Sequence, residues 1–393
     1  MKALVVFGTR PEIIKLAPII FKLQEKMEVR VFHTRQHDEL ADDVIKFFKI
    51  SPDFNERTML HMTEERRSGR IGQIIRAVNP DIIIVQGDTF TTYAAAFTAF
   101  LLQKPILHLE AGLRTYRKFS PFPEEMFRRL VSNLADFHFV PTETSRNNLL
   151  SEGIPEDRII VSGNTIVDAA NMALARVNAI QALQEVHKYN HDPDLDEMLD
   201  NRKLAIVTAH RRESIGQPLK DICAAMKRLA EKYNDMLFLW VLHKNPNVRE
   251  IVFNEMRDRP NNLKFAEAFT YPTMLYFLNR AHFILTDSGG IQEEVVSLHK
   301  PVIIMREDTE RPEVIDYGLG FLVGTDVDHI ISAFSRLHDD EDFYDKLTKL
   351  ENPFGDGRTS ERVLEFLTSY EVKKFLNEYP LNVAHKFEKR ITW

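Results

Sequence analysis

Three carboxylates and one histidine stand where the chain could do proton chemistry: Asp88, Glu110, Glu124 and His210. Asp88 follows the apolar run Ile82–Val85 in Gln86-Gly87-Asp88-Thr89, and Glu110 follows Ile106–Leu109 in Glu110-Ala111-Gly112-Leu113-Arg114. Glu124 belongs to Pro121-Phe122-Pro123-Glu124-Glu125, where Pro123 marks a helix start and puts Arg128 on the same face as Glu124. Several carboxylates at one site suit proton abstraction and return. Like charges and burial separate their pKa values, so that one is acid while another is base. Spacing alone leaves a plainer reading open, with Glu124 and Arg128 a helix pair and Asp88 a helix cap. His210 is set apart from the other histidines by its place between a strand-like run and Arg211-Arg212.

A second group suits phosphate. Ser288-Gly289-Gly290 separates the run Phe283–Leu285 from a helical pattern beginning near Ile291. Glycine lets a backbone approach a ligand, and a helix N-terminus offers free N–H groups and a positive dipole end. Arg10, Lys15, Arg211, Arg212 and Arg311 add positive charge at strand ends, and arginine suits bidentate phosphate contact. Glu294, on the following helix, is placed either to accept from ribose hydroxyls or to face solvent. The chain has 51 basic and 58 acidic residues, net −7, so local basic clustering favours a phosphorylated small molecule, most simply a nucleoside diphosphate. The same balance argues against a general nucleic-acid or anionic-membrane binder. No Gly-x-x-x-x-Gly-Lys-[Ser/Thr] loop occurs, and the first strand ends in Gly8-Thr9-Arg10-Pro11-Glu12 rather than Gly-x-Gly-x-x-Gly, which disfavours a P-loop NTPase and bound NAD.

These residues need elements to hold them. At 393 residues the chain suggests two or three domains. Twelve short runs rich in Val, Ile, Leu and Phe alternate with helical patterns, which predicts an α/β fold with parallel sheets, two of about six strands each. Eight polar motifs directly follow strand-like runs. Ligands of open α/β sheets bind outside the carboxyl ends of the strands, so the pattern predicts a ligand cleft between two domains. The seam is expected near residues 165–203, with His187–Asp200 as a solvated linker. Asp192, Asp194 and Asp196 begin like a calcium loop, but Glu197 and Lys203 occupy the positions where an EF-hand needs Gly and Glu, so no metal is expected. Cys223 is the single cysteine, which excludes an internal disulfide and a Cys-based zinc site and suits a reducing compartment. Ala3–Phe7 is too short for a secretory signal and Tyr93–Leu102 too short for a membrane span, so a cytoplasmic protein is expected.

Taken together, these stretches resemble the non-hydrolysing UDP-N-acetylglucosamine 2-epimerase family. The resemblance is carried by Gly8–Lys15 with Pro18, Gln36-His37, Gly87-Asp88-Thr89, Glu110–Thr115, Ser120–Glu125 with Arg128, and Pro141-Thr142-Glu143. It continues through Gly163–Asp168, His210–Ser214, His243 with Asn245–Glu250, Thr286–Glu294, Thr309–Glu313 and Asn352–Gly357. It spans about residues 1 to 365. It implies two Rossmann-like domains around a deep cleft, the glycosyltransferase-B type of fold. The expected division is 1–166 plus about 358–393, whose helix returns to the N-terminal domain, and 167–357. It implies interconversion of UDP-GlcNAc and UDP-ManNAc through elimination of UDP to 2-acetamidoglucal and re-addition, without metal or redox cofactor, supplying ManNAc-type sugars for surface polysaccharide. By the same resemblance Asp88, Glu110, Glu124 and His210 match catalytic positions and Arg128 a supporting one. Arg10, Lys15, Ser288, Gly289, Gly290, Glu294 and Arg311 match nucleotide-contacting positions. A homodimer is implied, and Gln36-His37 matches part of a second, activating UDP-GlcNAc site, although Thr63–Gly69 departs from that pattern. Other departures are Asp308 before Thr309-Glu310-Arg311, Val295-Val296, His299 in place of a common glycine, and Met274. A 2-epimerase of another UDP-2-acetamido sugar, a hydrolysing epimerase, a sugar transferase of the same fold and a non-catalytic nucleotide-sugar sensor are the alternatives.

Overall fold

A computed structural model describes residues 1–36, 39–57, 64–189, 192–211 and 214–379. The chain divides into two units, Met1–Asn171 with the chain from Phe354 onward, and Met172–Pro353. The first unit is built on strands β1 (Lys2–Phe7), β2 (Glu28–His33), β3 (Phe54–Asn55), β4 (Ile82–Gln86), β5 (Ile106–Leu109), β6 (Phe137–Val140) and β7 (Ile159–Val161). They form one parallel sheet in the order β3-β2-β1-β4-β5-β6-β7. β1 is central, with Leu4 opposite Arg30 on one side and Ile83 on the other, and Ala3–Phe7 are wholly buried. The strand order reverses between β1 and β4, the switch point outside which doubly wound sheets bind ligands.

The second unit repeats the plan with β8 (Lys203–Thr208), β9 (Met236–Val241), β10 (Leu263–Ala266), β11 (Phe283–Thr286), β12 (Val302–Ile304) and β13 (Gly320–Leu322), in the order β10-β9-β8-β11-β12-β13. Its switch point lies between β8 and β11. Trp240, Phe238 and Phe334 head the large side chains of its core. Among the described residues no helix is long and apolar enough to cross a membrane.

Three features depart from the sequence reading. The first sheet has a seventh strand, β3, which no apolar run announces. It is fixed instead by Asp53, whose carboxylate accepts from Val31 N at 2.8 Å and from Arg30 Nη1 at 2.8 Å. The segment His187–Asp200, expected as a solvated linker, is partly helical: it takes in the end of the helix Ala179–Tyr189 and most of the helix Leu195–Asn201, whereas the helix Thr165–Leu174 lies before it. Leu195, Met198 and Leu199 are buried, and Asp192 pairs with the buried Lys264, so this segment packs on the second unit. The units divide after Asn171 and before Phe354, a few residues inside the expected 167–357. The buried Asp168 carboxylate accepts from Thr359 N (3.2 Å), Ser360 N (2.8 Å) and Ser360 Oγ (2.7 Å), tying the first unit to the helix Thr359–Thr368. Phe366 and Phe375 then pack edge-on against Phe137 of β6. The tail Phe387–Trp393 lies outside the described residues.

Candidate active site

In the first unit the polar groups gather at the carboxyl ends of β1, β4 and β5. Gly8 closes β1 where no side chain fits, since a Cβ there would lie 2.2 Å from Thr91 Oγ1 and 2.4 Å from Thr34 Oγ1. The helix Arg10–Gln24 starts directly after it and carries Arg10, half-buried, at its first position and Lys15 on its second turn. Lys15 is buried, and its ammonium pairs with the Glu110 carboxylate. Gln86 Nε2 donates to Glu110 Oε2 at 2.7 Å, and Asn164 Nδ2 to Oε1 at 3.1 Å. Glu110 itself has φ +58°, a left-handed conformation costing a non-glycine residue on the order of 1–3 kcal/mol and characteristic of functional sites. A cation and two amides therefore hold one carboxylate, strained and nearly buried, at the end of β5. Gly87 lies over this carboxylate, the position of its missing Cβ being 3.3 Å from Glu110 Oε2, which makes Asp88 the next residue along.

Asp88 is partly exposed and is held by Arg128, whose Nε and Nη2 both reach Asp88 Oδ2, at 2.8 and 2.7 Å. Arg128 is buried on the helix Glu124–Leu134, and its Nη1 donates to the buried Glu125 at 3.2 Å. Glu125 also accepts from Thr115 N and Tyr116 N, both at 3.0 Å, closing the base of the loop that leads to Glu124. Glu124 lies half-buried on the first turn of this helix. Arg128 therefore serves Asp88 and Glu125 rather than Glu124, the partner its i, i+4 spacing suggested. Among the described residues the Glu124 carboxylate is not committed to any hydrogen bond or ion pair.

In the second unit the buried Asp287, at the end of β11, organises the chain leaving β8. Its Oδ2 accepts from His210 N (2.7 Å), Arg211 N (2.8 Å) and Ser214 Oγ (3.2 Å). His210 Nδ1 lies 3.4 Å from Asp287 Oδ1, and the His210 ring stacks on His243, centroids 4.9 Å apart and 8° from parallel. Burial, assisted by the Lys244 charge and opposed by Asp287, lowers the pKa of His243.

The helix Gly289–Ser297 begins beside this turn, and its N-cap Ser288 makes no side-chain cap. A Cβ at Gly289 would sit 3.1 Å from Arg311 Nη1 and 3.3 Å from Arg211 Nη2, whereas one at Gly290 would meet nothing within 4 Å among the described residues. Two guanidinium groups thus flank a helix N-terminus, with N–H groups and positive dipole facing the same point, which is an anion seat. Glu293 accepts from Arg311 Nε at 2.8 Å, and Arg306 Nη1 donates to Glu310 Oε2 at 2.9 Å. Burial alone would raise the Glu310 carboxyl, but Arg311, Arg306 and Arg211 outweigh it and bring it to about 2. Asp308 projects into solvent with its carboxylate 3.5 Å from Arg306 Nη2, so its charge is answered locally. Glu294 is buried one turn along the same helix. Met274 is half-buried on the helix Tyr271–Arg280. Arg212 lies outside the described residues, as does His37.

A family model described as UDP-N-acetylglucosamine 2-epimerase matches residues 21–368. The chain belongs to the UDP-N-acetylglucosamine 2-epimerase family. It is 43% identical over 379 residues to the UDP-N-acetylglucosamine 2-epimerase of Salmonella typhimurium, covering 95% of this chain and all of that one. Among solved structures it is similar to the UDP-GlcNAc 2-epimerase of Neisseria meningitidis bound to UDP-GlcNAc. The TM-score there is 0.83 at 40% identity, covering 93% of this chain and 99% of the other. It is likewise similar to a Staphylococcus aureus MnaA–UDP co-structure, TM-score 0.81 at 38% identity, covering 94% and 97%. The protein is accordingly an isomerase, and its two Rossmann-like sheets are the glycosyltransferase-B type of fold.

In this epimerase several residues that complete the site carry no individual signal in sequence. Gln86 and Asn164 look like ordinary loop amides until both converge on Glu110. Glu125 reads as the neighbour of Glu124, although it is the buried one that organises the loop. Asp287 could have been found from its place directly after an apolar strand, the signal that selected Asp88 and Glu110.

Proposed function

We propose that this epimerase interconverts UDP-GlcNAc and UDP-ManNAc by eliminating and re-adding UDP, with 2-acetamidoglucal between the two steps. The observation that carries the reading is the anion seat formed by Arg211, Arg311 and the N-terminus of the helix Gly289–Ser297. The hydrogen on carbon 2 is not adjacent to a carbonyl and is a poor acid. Breaking the C1–O bond, with the electron pair leaving on the diphosphate, builds positive charge on the ring and acidifies that hydrogen. Preorganised cations and N–H dipoles stabilise the departing diphosphate without reorganisation cost. A carboxylate then takes the C2 proton while the C–H pair forms the C1=C2 bond. In return, a proton is delivered to the opposite face of C2, and the UDP oxygen closes on C1.

Asp88, Glu110 and Glu124 are the groups assigned to these proton steps, with Arg128 and Lys15 holding two of them. His210, stacked on His243 beside Asp287, is assigned to the departing diphosphate, and Arg10, Lys15, Ser288, Gly289, Gly290, Glu294 and Arg311 to the nucleotide. Substrate carrying oxygen-18 in the C1–O–P bridge tests bond cleavage. The label scrambles into non-bridging phosphate positions if UDP leaves and returns, and stays in the bridge if it does not.

The assembly is proposed to be a homodimer. Support comes from Phe97, Phe100, Leu101 and Leu130, exposed apolar residues on the contacting helices Phe90–Leu101 and Glu124–Leu134. Light scattering of the purified protein checks this by mass. A second UDP-GlcNAc as activator rests on the Gln36-His37 match. It requires UDP-ManNAc turnover to rise when trace UDP-GlcNAc is added, and equal rates contradict it. A cytoplasmic location is supported by the single cysteine, Cys223, which is buried with its thiol pushed up to about 12 by burial.

A further inference from the structure

Glu12 is 2% exposed, and among the described residues no cation pairs with it. Its carboxylate is nevertheless hydrogen-bonded through both oxygens. Oε2 accepts from Gly8 N at 3.0 Å and Thr9 N at 2.7 Å, and Oε1 accepts from Thr89 Oγ1 at 2.7 Å and Thr92 Oγ1 at 3.0 Å. A residue at this helical position that served only as a cap would reach back to the N-cap N–H and stop there. Here the second oxygen crosses to another loop, the one that leaves β4.

The residues it reaches bracket Asp88. Thr89 follows Asp88 directly. The Thr92 hydroxyl shares its one proton between Glu12 Oε1 and, 2.6 Å away, the carbonyl oxygen of Gln86, two residues before Asp88. One carboxylate thereby spans the β1 and β4 loops, and the two are already at contact distance where Gly8 faces Thr91. Burial raises the Glu12 carboxyl, while the hydrogen bonds from Thr89, Gly8, Thr9 and Thr92 oppose that rise. A buried carboxylate without a cation is costly, and donors from both loops, at least one on each oxygen, are what make it tolerable.

We propose that Glu12 is a positioning residue that locks the β1 and β4 loops together and so fixes the Asp88 carboxylate against carbon 2 of the sugar, without itself touching substrate. The proposal rests on the reading of Asp88 as a proton-transfer group. Aspartate at position 12 keeps the charge but is one methylene too short to reach both loops. Glutamine keeps the reach: its oxygen can take the Gly8 and Thr9 N–H groups, and its NH2 can donate to the threonine hydroxyls, which rotate.

Steady-state epimerisation of UDP-GlcNAc, with hydrogen and with deuterium at C2, tests this in Glu12→Asp, Glu12→Gln and Asp88→Asn. Misplacement by about 1 Å can cost a step ~100-fold, so Glu12→Asp is expected to lose ~10–100-fold in kcat with KM changed less than about threefold. Its deuterium effect on kcat is expected to grow, because only the proton step is slowed. Glu12→Gln is expected to restore both. Impaired folding would lower the active fraction and leave the isotope effect as it was. Wild-type kcat and isotope effect in Glu12→Asp, or an equal kcat loss in both variants with no change in isotope effect, overturns the proposal. If Asp88→Asn turns over at the wild-type rate, the reading of Asp88 falls and takes the proposal with it. If Asp88→Asn is inactive and Glu12→Asp is normal, only the positioning role falls.

Discussion

Arg128 grips a single oxygen of Asp88 with two of its nitrogens, Nε at 2.8 Å and Nη2 at 2.7 Å, and gives its third to Glu125. A buried guanidinium shared this way fixes the Asp88 carboxylate in direction as well as in charge. Replacement by Met removes, among the described residues, the group that does both, and it leaves Glu125 with two backbone donors. Arg128→Met is expected to lower kcat about 100-fold and stability by about 3 kcal/mol. Arg128→Lys, which keeps a charge but not the fork, is expected to fall between. Steady-state kinetics and urea unfolding on the same samples separate the two effects.

The anion seat makes a different prediction. Gly289→Ala places a methyl group 3.1 Å from one guanidinium and 3.3 Å from another, so both must withdraw from the helix N-terminus. UDP binding measured by calorimetry is expected to weaken about tenfold, the loss of roughly one charge-assisted hydrogen bond. Gly290→Ala meets no atom within 4 Å among the described residues and is expected to bind less well through contact with the ligand itself.

His299, a departure from the family pattern, has φ +55° just after the helix Gly289–Ser297. Glycine adopts that conformation without penalty, whereas a side chain costs roughly 1 kcal/mol. His299→Gly is therefore expected to raise the thermal midpoint slightly, with kcat unchanged. A lower midpoint would show that the histidine side chain contributes more than its backbone costs.

Asp136 gives a pH test of stability. Burial raises its carboxyl to about 6, against the Ile106 N–H bond and the Arg158 charge, which favour the ionised form. The folded state thus holds the proton more tightly than the unfolded chain. Its contribution is fully present below about pH 4 and is lost as pH rises through about 6. Asp136→Asn keeps an acceptor for Ile106 N and is expected to be more stable than wild type by about 1–2 kcal/mol at pH 7.5 and equal to it near pH 4. Urea midpoints at the two pH values measure the difference.

Much of this was legible because parallel strands buried on both faces write continuous apolar runs, and whatever polar residue follows such a run lies at the ligand end of the sheet. Asp88, Glu110, His210 and Ser288 were found that way. Three-dimensional convergence was not legible. Arg128 is four residues from Glu124 but turns to Asp88, 40 residues away in sequence. Gln86, Asn164 and Lys15 reach Glu110 from the end of β4, a loop and a helix. Strand β3 is held by the Asp53 side chain, and the helix Leu195–Asn201 hides its three buried residues in a run of aspartates. In each case the deciding contact is long-range, and neither periodicity nor local propensity reports it.

The most direct measurement of the proposed chemistry is proton NMR of the purified enzyme with UDP-GlcNAc in deuterated water, without added metal or NAD. UDP-ManNAc carrying deuterium at C2 is the expected result, since the proton removed by one carboxylate is replaced from solvent on the other face. UDP-ManNAc formed with its original C2 hydrogen, or UDP-GlcNAc bound without any change at C2, would contradict it.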